Sequence, residues 1–90
     1  MIEIVKVVRI EKLGGFLLRL CFSDGTEGER DFSDIVIEGG PMVEPLQDPA
    51  FFGRVFLELG TLTWPNGFDV DSIALYVEMK KAGALRRSAA

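Results

Sequence analysis

The chain reads as a small α+β domain: an antiparallel sheet of about four to five strands in the order β-β-β-short helices-β-β-α, with the helices packed on one face. Three observations lead there. Strand-like runs follow one another at the start of the chain and again before its last helical segment, so strands and helices are segregated. Dense turn chemistry separates the runs, above all Phe22-Ser23-Asp24-Gly25 and Trp64-Pro65-Asn66-Gly67. At 90 residues, 48% hydrophobic and 27% charged, the composition is that of one globular domain with a modest core of its own.

Taken in order, Ile2 to Ile10 is dense in β-branched residues and predicts a strand, apolar on both faces. Leu13-Gly14-Gly15 is a turn. From Phe16 to Phe22 the alternation is clear, with Phe16, Leu18, Leu20 and Phe22 on one face, the expected core, and Leu17, Arg19 and Cys21 on the other. Thr26 to Phe32 continues as a polar third strand. Its Glu27, Glu29 and Asp31 share a face, as expected of a solvent-facing or edge strand.

Ser33 to Val36 forms a short helical turn, and Glu38-Gly39-Gly40-Pro41 a loop. Asp48-Pro49 opens a short helix to Arg54, with Asp48 as cap, Pro49 at the first position and Phe51 and Phe52 as anchors. Val55 to Leu59 and Thr61 to Trp64 are two short strands around Gly60. Pro65 removes an amide donor and ends the second of them. Asp71 to about Lys81 is the closing helix, capped by Asp69 or Asp71, with Ile73, Tyr76 and Val77 expected to face the sheet.

Four of these motifs, in this order and spacing, resemble the bacterial family known as domain of unknown function 2442. Its F-x-D-G turn corresponds to Phe22 to Gly25 and its acidic-hydrophobic pair to Asp31-Phe32. Its P-L-x-D-P-x-x-F segment corresponds to Pro45 to Phe52, and its G-T-L-x-W-P-N-G segment opens Gly60 to Ser72. The likeness runs over residues 2–78. It implies the same α+β fold and brings no established activity. A single domain over residues 1–79, followed by a basic, flexible tail over 80–90, is the expected organisation.

Little in the chain points to chemistry. There is no histidine, which removes the commonest general base, the histidine-paired nucleophiles and the usual zinc ligand. Cys21 stands alone, so an internal disulfide is impossible and a reducing cytoplasm is the expected location. A cation such as Arg19 beside it would activate the thiol, but a mid-strand cysteine is ordinarily a small hydrophobe. Asp24, Asp69 and Asp71 are the acids of the motifs. Turn formation and helix capping account for them, while metal binding or acid–base work would need partners the pattern lacks. Gly14-Gly15 and Gly39-Gly40 lack the context of a phosphate loop. The expectation is therefore no cofactor, no metal and no catalysis. No apolar run approaches the roughly 18–20 residues of a membrane span, and the first residues lack the layout of a secretory signal.

Charge is unevenly placed. Residues 1–79 hold six basic and fourteen acidic groups, a net −8, while Lys80, Lys81, Arg86 and Arg87 give residues 80–90 a net +4. The acidic body disfavours nucleic acid, which would be left to those four cations. A basic protein partner fits better.

The expected function is accordingly a non-catalytic protein-interaction module. The family resemblance implies an antitoxin-like or accessory member of a two-gene pair of the toxin–antitoxin type. The alternative it implies is a sensor or dimerisation domain related to helix-turn-helix DNA-binding regulators. A carboxylate-based enzyme is the minor alternative. The interaction candidates are Leu17, Arg19, Cys21, Trp64, Asn66 and Asp69, with Trp64 read as core in preference to interface. A homodimer is expected if Val5, Val7, Leu17 and Cys21 line a sheet face that the helices leave bare.

Overall fold

A computed structural model of the chain describes residues 4–88. Three strands form a meander, β1 (Val7–Gly14), β2 (Leu17–Phe22) and β3 (Thr26–Asp31). Helix α1 (Ser33–Glu38), a 3-10 turn (Glu44–Gln47) and α2 (Pro49–Phe52) follow. Then come β4 (Phe56–Glu58), β5 (Thr61–Thr63), β6 (Asp69–Val70), α3 (Ser72–Lys81) and β7 (Arg86–Arg87). All pairings are antiparallel, and the strands divide into two sheets, β1-β2-β3-β7 and β4-β5-β6. The α+β class is as expected. The second sheet is new: β4, β5 and β6 pair among themselves, and the rings of Phe16, Phe52 and Trp64 pack between it and the first.

The turns behave as their residues dictate. Gly25 takes φ 87° and donates its amide to the Phe22 carbonyl, while Asp24 Oδ1 accepts from the Thr26 amide and hydroxyl. At the other motif the Gly67 amide donates to the Trp64 carbonyl, and Asn66 Oδ1 accepts from the Phe68 amide. Asp48 caps α2 through the Ala50 amide, and Asp71, not Asp69, caps α3 through the Ala74 amide. Asp69 belongs to β6 instead.

The core holds the even-numbered face of β2 as expected: Leu18, Leu20 and Phe22 are buried and Phe16 packs against them. Trp64 fills the space between the sheets with 1% exposure, and its indole Nε1–H donates to the Phe52 carbonyl at 2.9 Å. The first strand differs from expectation. It runs from Val7 to Gly14, because pairing with β2 across the Gly14-Gly15 turn carries it through Leu13, while Ile2 lies outside the described residues. Val7 is buried in the core and Val5 packs against it, so neither lines a bare sheet face.

Helix α3 is also rotated from expectation. Its buried residues are Ser72, Leu75 and Met79, whereas Ile73 and Val77 are 48% and 43% exposed. Tyr76 lies at the boundary, stacked edge-on to Phe22 at 5.2 Å with its hydroxyl donating to Asp24 Oδ2. The reason is that Ile73 through Val77 is apolar on every side, so periodicity could not choose a face. The Asp71 cap and the Ser72 hydroxyl, which donates to the Val5 carbonyl, set the phase instead.

Residues 80–88 of the basic segment comprise the end of α3 and the outer strand β7. Lys80 and Lys81 close α3, and Arg86 and Arg87 pair with Glu27 and Thr26 as the outer strand beside β3. Buried Gly28 makes room for this: a Cβ there would overlap the Ala84 carbonyl and come within 3.1 Å of the Met79 methyl. Among the described residues, no helix is long and apolar enough to cross a membrane.

Two predictions test this packing. Leu75→Ala should cost about 2–5 kcal/mol in denaturant unfolding, and Val77→Ala should stay within about 0.5 kcal/mol; equal effects would contradict the assigned helix face. Gly28→Ala should destabilise by about 1–3 kcal/mol and speed amide exchange in β7 before it does so in β2.

Candidate interaction surface

Pairing between strands builds the outer face of the larger sheet. Arg19 and Glu29 are each five residues from Asp24, so the β2–β3 hairpin sets them opposite one another. Glu11 and Arg19 are each four residues from Gly15 and meet across the β1–β2 turn. The result is a ladder of charge. Arg19 bonds Glu11 and Glu29, the latter at 2.9 Å, and Arg86 bonds Glu29 at 2.7 Å and Glu27 at 2.8 Å. Arginine suits this role because its planar fork serves two carboxylates at once.

The electrostatics follow from these contacts. Arg86 first, then Arg19, holds the Glu29 carboxyl down at about 2, and Glu29 and Glu11 raise the Arg19 guanidinium. Both groups stay charged over any ordinary pH. The ladder is part-exposed and therefore screened by salt. It runs over the face on which Leu17 and Cys21 lie.

The expected interaction residues separate into two groups. Leu17, Arg19 and Cys21 lie together on this outer face, half-buried, opposite Asp31, Glu29 and Glu27 respectively. Trp64, Asn66 and Asp69 lie elsewhere. Trp64 is internal and offers no surface. Asn66 donates to the Met42 carbonyl at 2.8 Å and so ties the hairpin to the long loop. Asp69 is exposed on β6 opposite Thr63.

A second feature was not anticipated from the sequence. Beyond the short reach of β7, the edge of β3 borders an open cleft of about 570 Å³ between β3, the start of α1 and the end of α3. Glu29, Asp31, Asp34 and Glu78 line it, and Met79, Ala82 and Ala84 contribute apolar surface. Arg30 spans one wall. It bonds Asp34 at 2.7 Å and Glu78 at 2.9 Å, with its guanidinium 4.8 Å from the centre of the Phe32 ring. Burial works against the charge on Arg30, and the bonds to Asp34 and Glu78 outweigh it. Arg30 in turn holds Asp34 below the usual carboxylate range. Arg30 bonds two of these carboxylates, Asp34 and Glu78, and Glu29 is bonded by Arg19 and Arg86, so the cleft keeps a small acidic surplus. The signal that could have found it is Arg30 itself, a lone cation in an acidic strand, but Glu78 lies 48 residues away and only the fold joins them.

The remaining motif acids serve the backbone. Asp31 accepts from the Ser33 amide at 2.9 Å and from its hydroxyl, which lowers its pKa. Burial raises the Asp24 carboxyl, but bonds from Thr26 and Tyr76 bring it below its ordinary value. Among the described residues no group of three or more His, Cys, Asp or Glu is placed to hold a metal ion.

A family model described as "Protein of unknown function (DUF2442)" matches residues 7–81. No curated protein and no solved structure matches significantly.

The ladder makes a pH prediction. Because the folded pKa of Glu29 is depressed, its contribution to stability is full above the ordinary value of 4.5 and disappears as pH falls toward about 2. Urea midpoints measured through that window should fall more for the wild type than for Glu29→Gln, and added salt should narrow the difference.

Proposed function

The chain belongs to the DUF2442 family of proteins of unknown function, and on that premise we propose that it is a non-catalytic protein-interaction module whose acidic cleft receives a basic segment of a small partner protein. The observation that carries this reading is the cleft beside β3. Its carboxylates Glu29, Asp31, Asp34 and Glu78 surround apolar surface from Met79 and Ala84. A cationic, part-apolar segment finds both complements there, and the acidic body would steer it in.

The committed state of the motif acids supports a role without catalysis. Asp24, Asp31, Asp48 and Asp71 all accept from backbone amides and hold turns or helix ends. A general acid or base needs a pKa near the working pH, and Asp24 and Asp31 are shifted the other way. The family resemblance gives this reading its narrower form, an antitoxin-like or accessory member whose partner is the product of a neighbouring gene. A DNA-regulator role has less support, since Arg86 is engaged by Glu27 and Glu29 and Arg87 donates to the Asp24 carbonyl.

The test is capture by the tagged chain from native lysate after nuclease treatment, in parallel with the double variant Asp34→Asn, Glu78→Gln, which keeps shape and removes charge. A stoichiometric basic protein should co-purify with the wild type, and its affinity for the double variant should be roughly tenfold weaker. Capture of nucleic acid alone, or a partner indifferent to both replacements, would defeat the proposal.

A further inference from the structure

The opposite margin of the larger sheet is β1, and its backbone is open. Antiparallel strands bond in alternate pairs. The Phe32 amide donates to the Phe16 carbonyl and the Ser23 amide donates to the Lys6 carbonyl. Even-numbered residues of β2 therefore bond toward β3, and odd-numbered ones toward β1. In the observed register, with Cys21 opposite Arg9 and Arg19 opposite Glu11, Arg9 and Glu11 bond inward. Ile10 and Lys12 turn their amide and carbonyl groups to the edge. The Val7 amide is taken by the Gly60 carbonyl at 3.0 Å. From Val8 onward no strand is hydrogen-bonded to the edge among the described residues, although β4 lies close to β1.

The edge carries Arg9, Glu11 and Lys12 and is irregular between Val7 and Arg9 and between Lys12 and Gly14, so a neighbour is admitted only where its charges match. Val8 is 57% exposed and Leu13 is also exposed. Arg9 is exposed and makes no ion pair among the described residues, while Glu11, two positions on and on the same outer face, is bonded by Arg19 alone.

We propose that β1 pairs antiparallel with β1 of a second copy of this chain about a twofold axis at Ile10, joining two four-stranded sheets into one. The register follows from two requirements. The axis must fall on a residue whose backbone groups face outward, and side chains brought together must not repel. An axis at Lys12 sets lysine against lysine. An axis at Val8 needs Val7, which Gly60 already holds. An axis at Ile10 bonds Ile10 to its own copy and sets Arg9 of each chain against Glu11 of the other in a close, non-bonded pair. The charge ladder then runs without a break across the axis, from Arg86 through Glu29, Arg19 and Glu11 to the second copy's Arg9. This surface is independent of the acidic cleft, which lies beyond β3 at the other margin.

Analytical ultracentrifugation of the full chain and two charge variants tests the pairing. The wild type should sediment at twice the chain mass. Arg9→Glu sets acid against acid, and Glu11→Arg sets base against base, so each variant alone should be a monomer at concentrations where the wild type is a dimer. An equimolar mixture of the two restores both opposite-charge pairs and should return to the dimer. A variant that merely misfolded would not recover on mixing. A wild type that is monomeric up to about 1 mM, or a dimer indifferent to both single replacements, overturns the proposal.

Discussion

The ring of Phe52 is the point on which the two sheets depend. It meets Phe16 of the larger sheet edge-on at 5.1 Å, Phe32 at 6.0 Å and Trp64 at 5.6 Å, and Trp64 in turn meets Phe68 at 5.6 Å. Phe16 precedes β2, Phe32 follows β3, and Trp64 and Phe68 flank the turn between β5 and β6. One side chain on a four-residue helix thus gathers both layers. Its backbone does the same, since the Phe52 carbonyl accepts the buried indole N–H. Without that acceptor the tryptophan would bury an unsatisfied donor, at about 1–3 kcal/mol. Asp48 and Pro49 start α2 where they do and so fix the position of the hub.

Around that core, charge is arranged in two separate circuits. On the outer face Arg19 and Arg86 tie the four strands of the larger sheet through Glu11, Glu27 and Glu29. At the margin Arg30 ties β3 to α1 and α3 through Asp34 and Glu78. Each exposed pair contributes little by itself in water. Their larger effect is on specificity: they neutralise the acidic face of β3 and hold β7 in register beside it. They also leave the two margins of the sheet different. One margin is acidic and concave, and the other is a bare strand carrying both signs of charge.

That asymmetry gives the two proposals their distinct surfaces. A basic partner at the β3 margin and a second copy at the β1 margin do not compete for backbone groups, so a dimer would present two acidic clefts at the far ends of one sheet. Leu59, 90% exposed, belongs to neither surface; its φ of 52° and the 83° of Gly60 are the paired positive values that a two-residue hairpin loop between Glu58 and Thr61 favours.

Local chemistry was legible in the sequence wherever neighbours in the chain decide the outcome. The hairpin at Asp24-Gly25, the Asp48 and Asp71 caps, the end of β5 before Pro65 and the core face of β2 all follow from residues within a few positions of one another. The Arg19–Glu29 pair follows too, once the turn is counted from. The buried face of α3 could not be read, because an apolar run has no periodicity to show which side meets the core. Nor could the division into two sheets, the pairing of Arg86 with Glu27 or the clamp of Arg30 on Glu78. These join residues tens of positions apart, and the free energy that chooses them is burial and charge pairing in three dimensions, which no local pattern encodes.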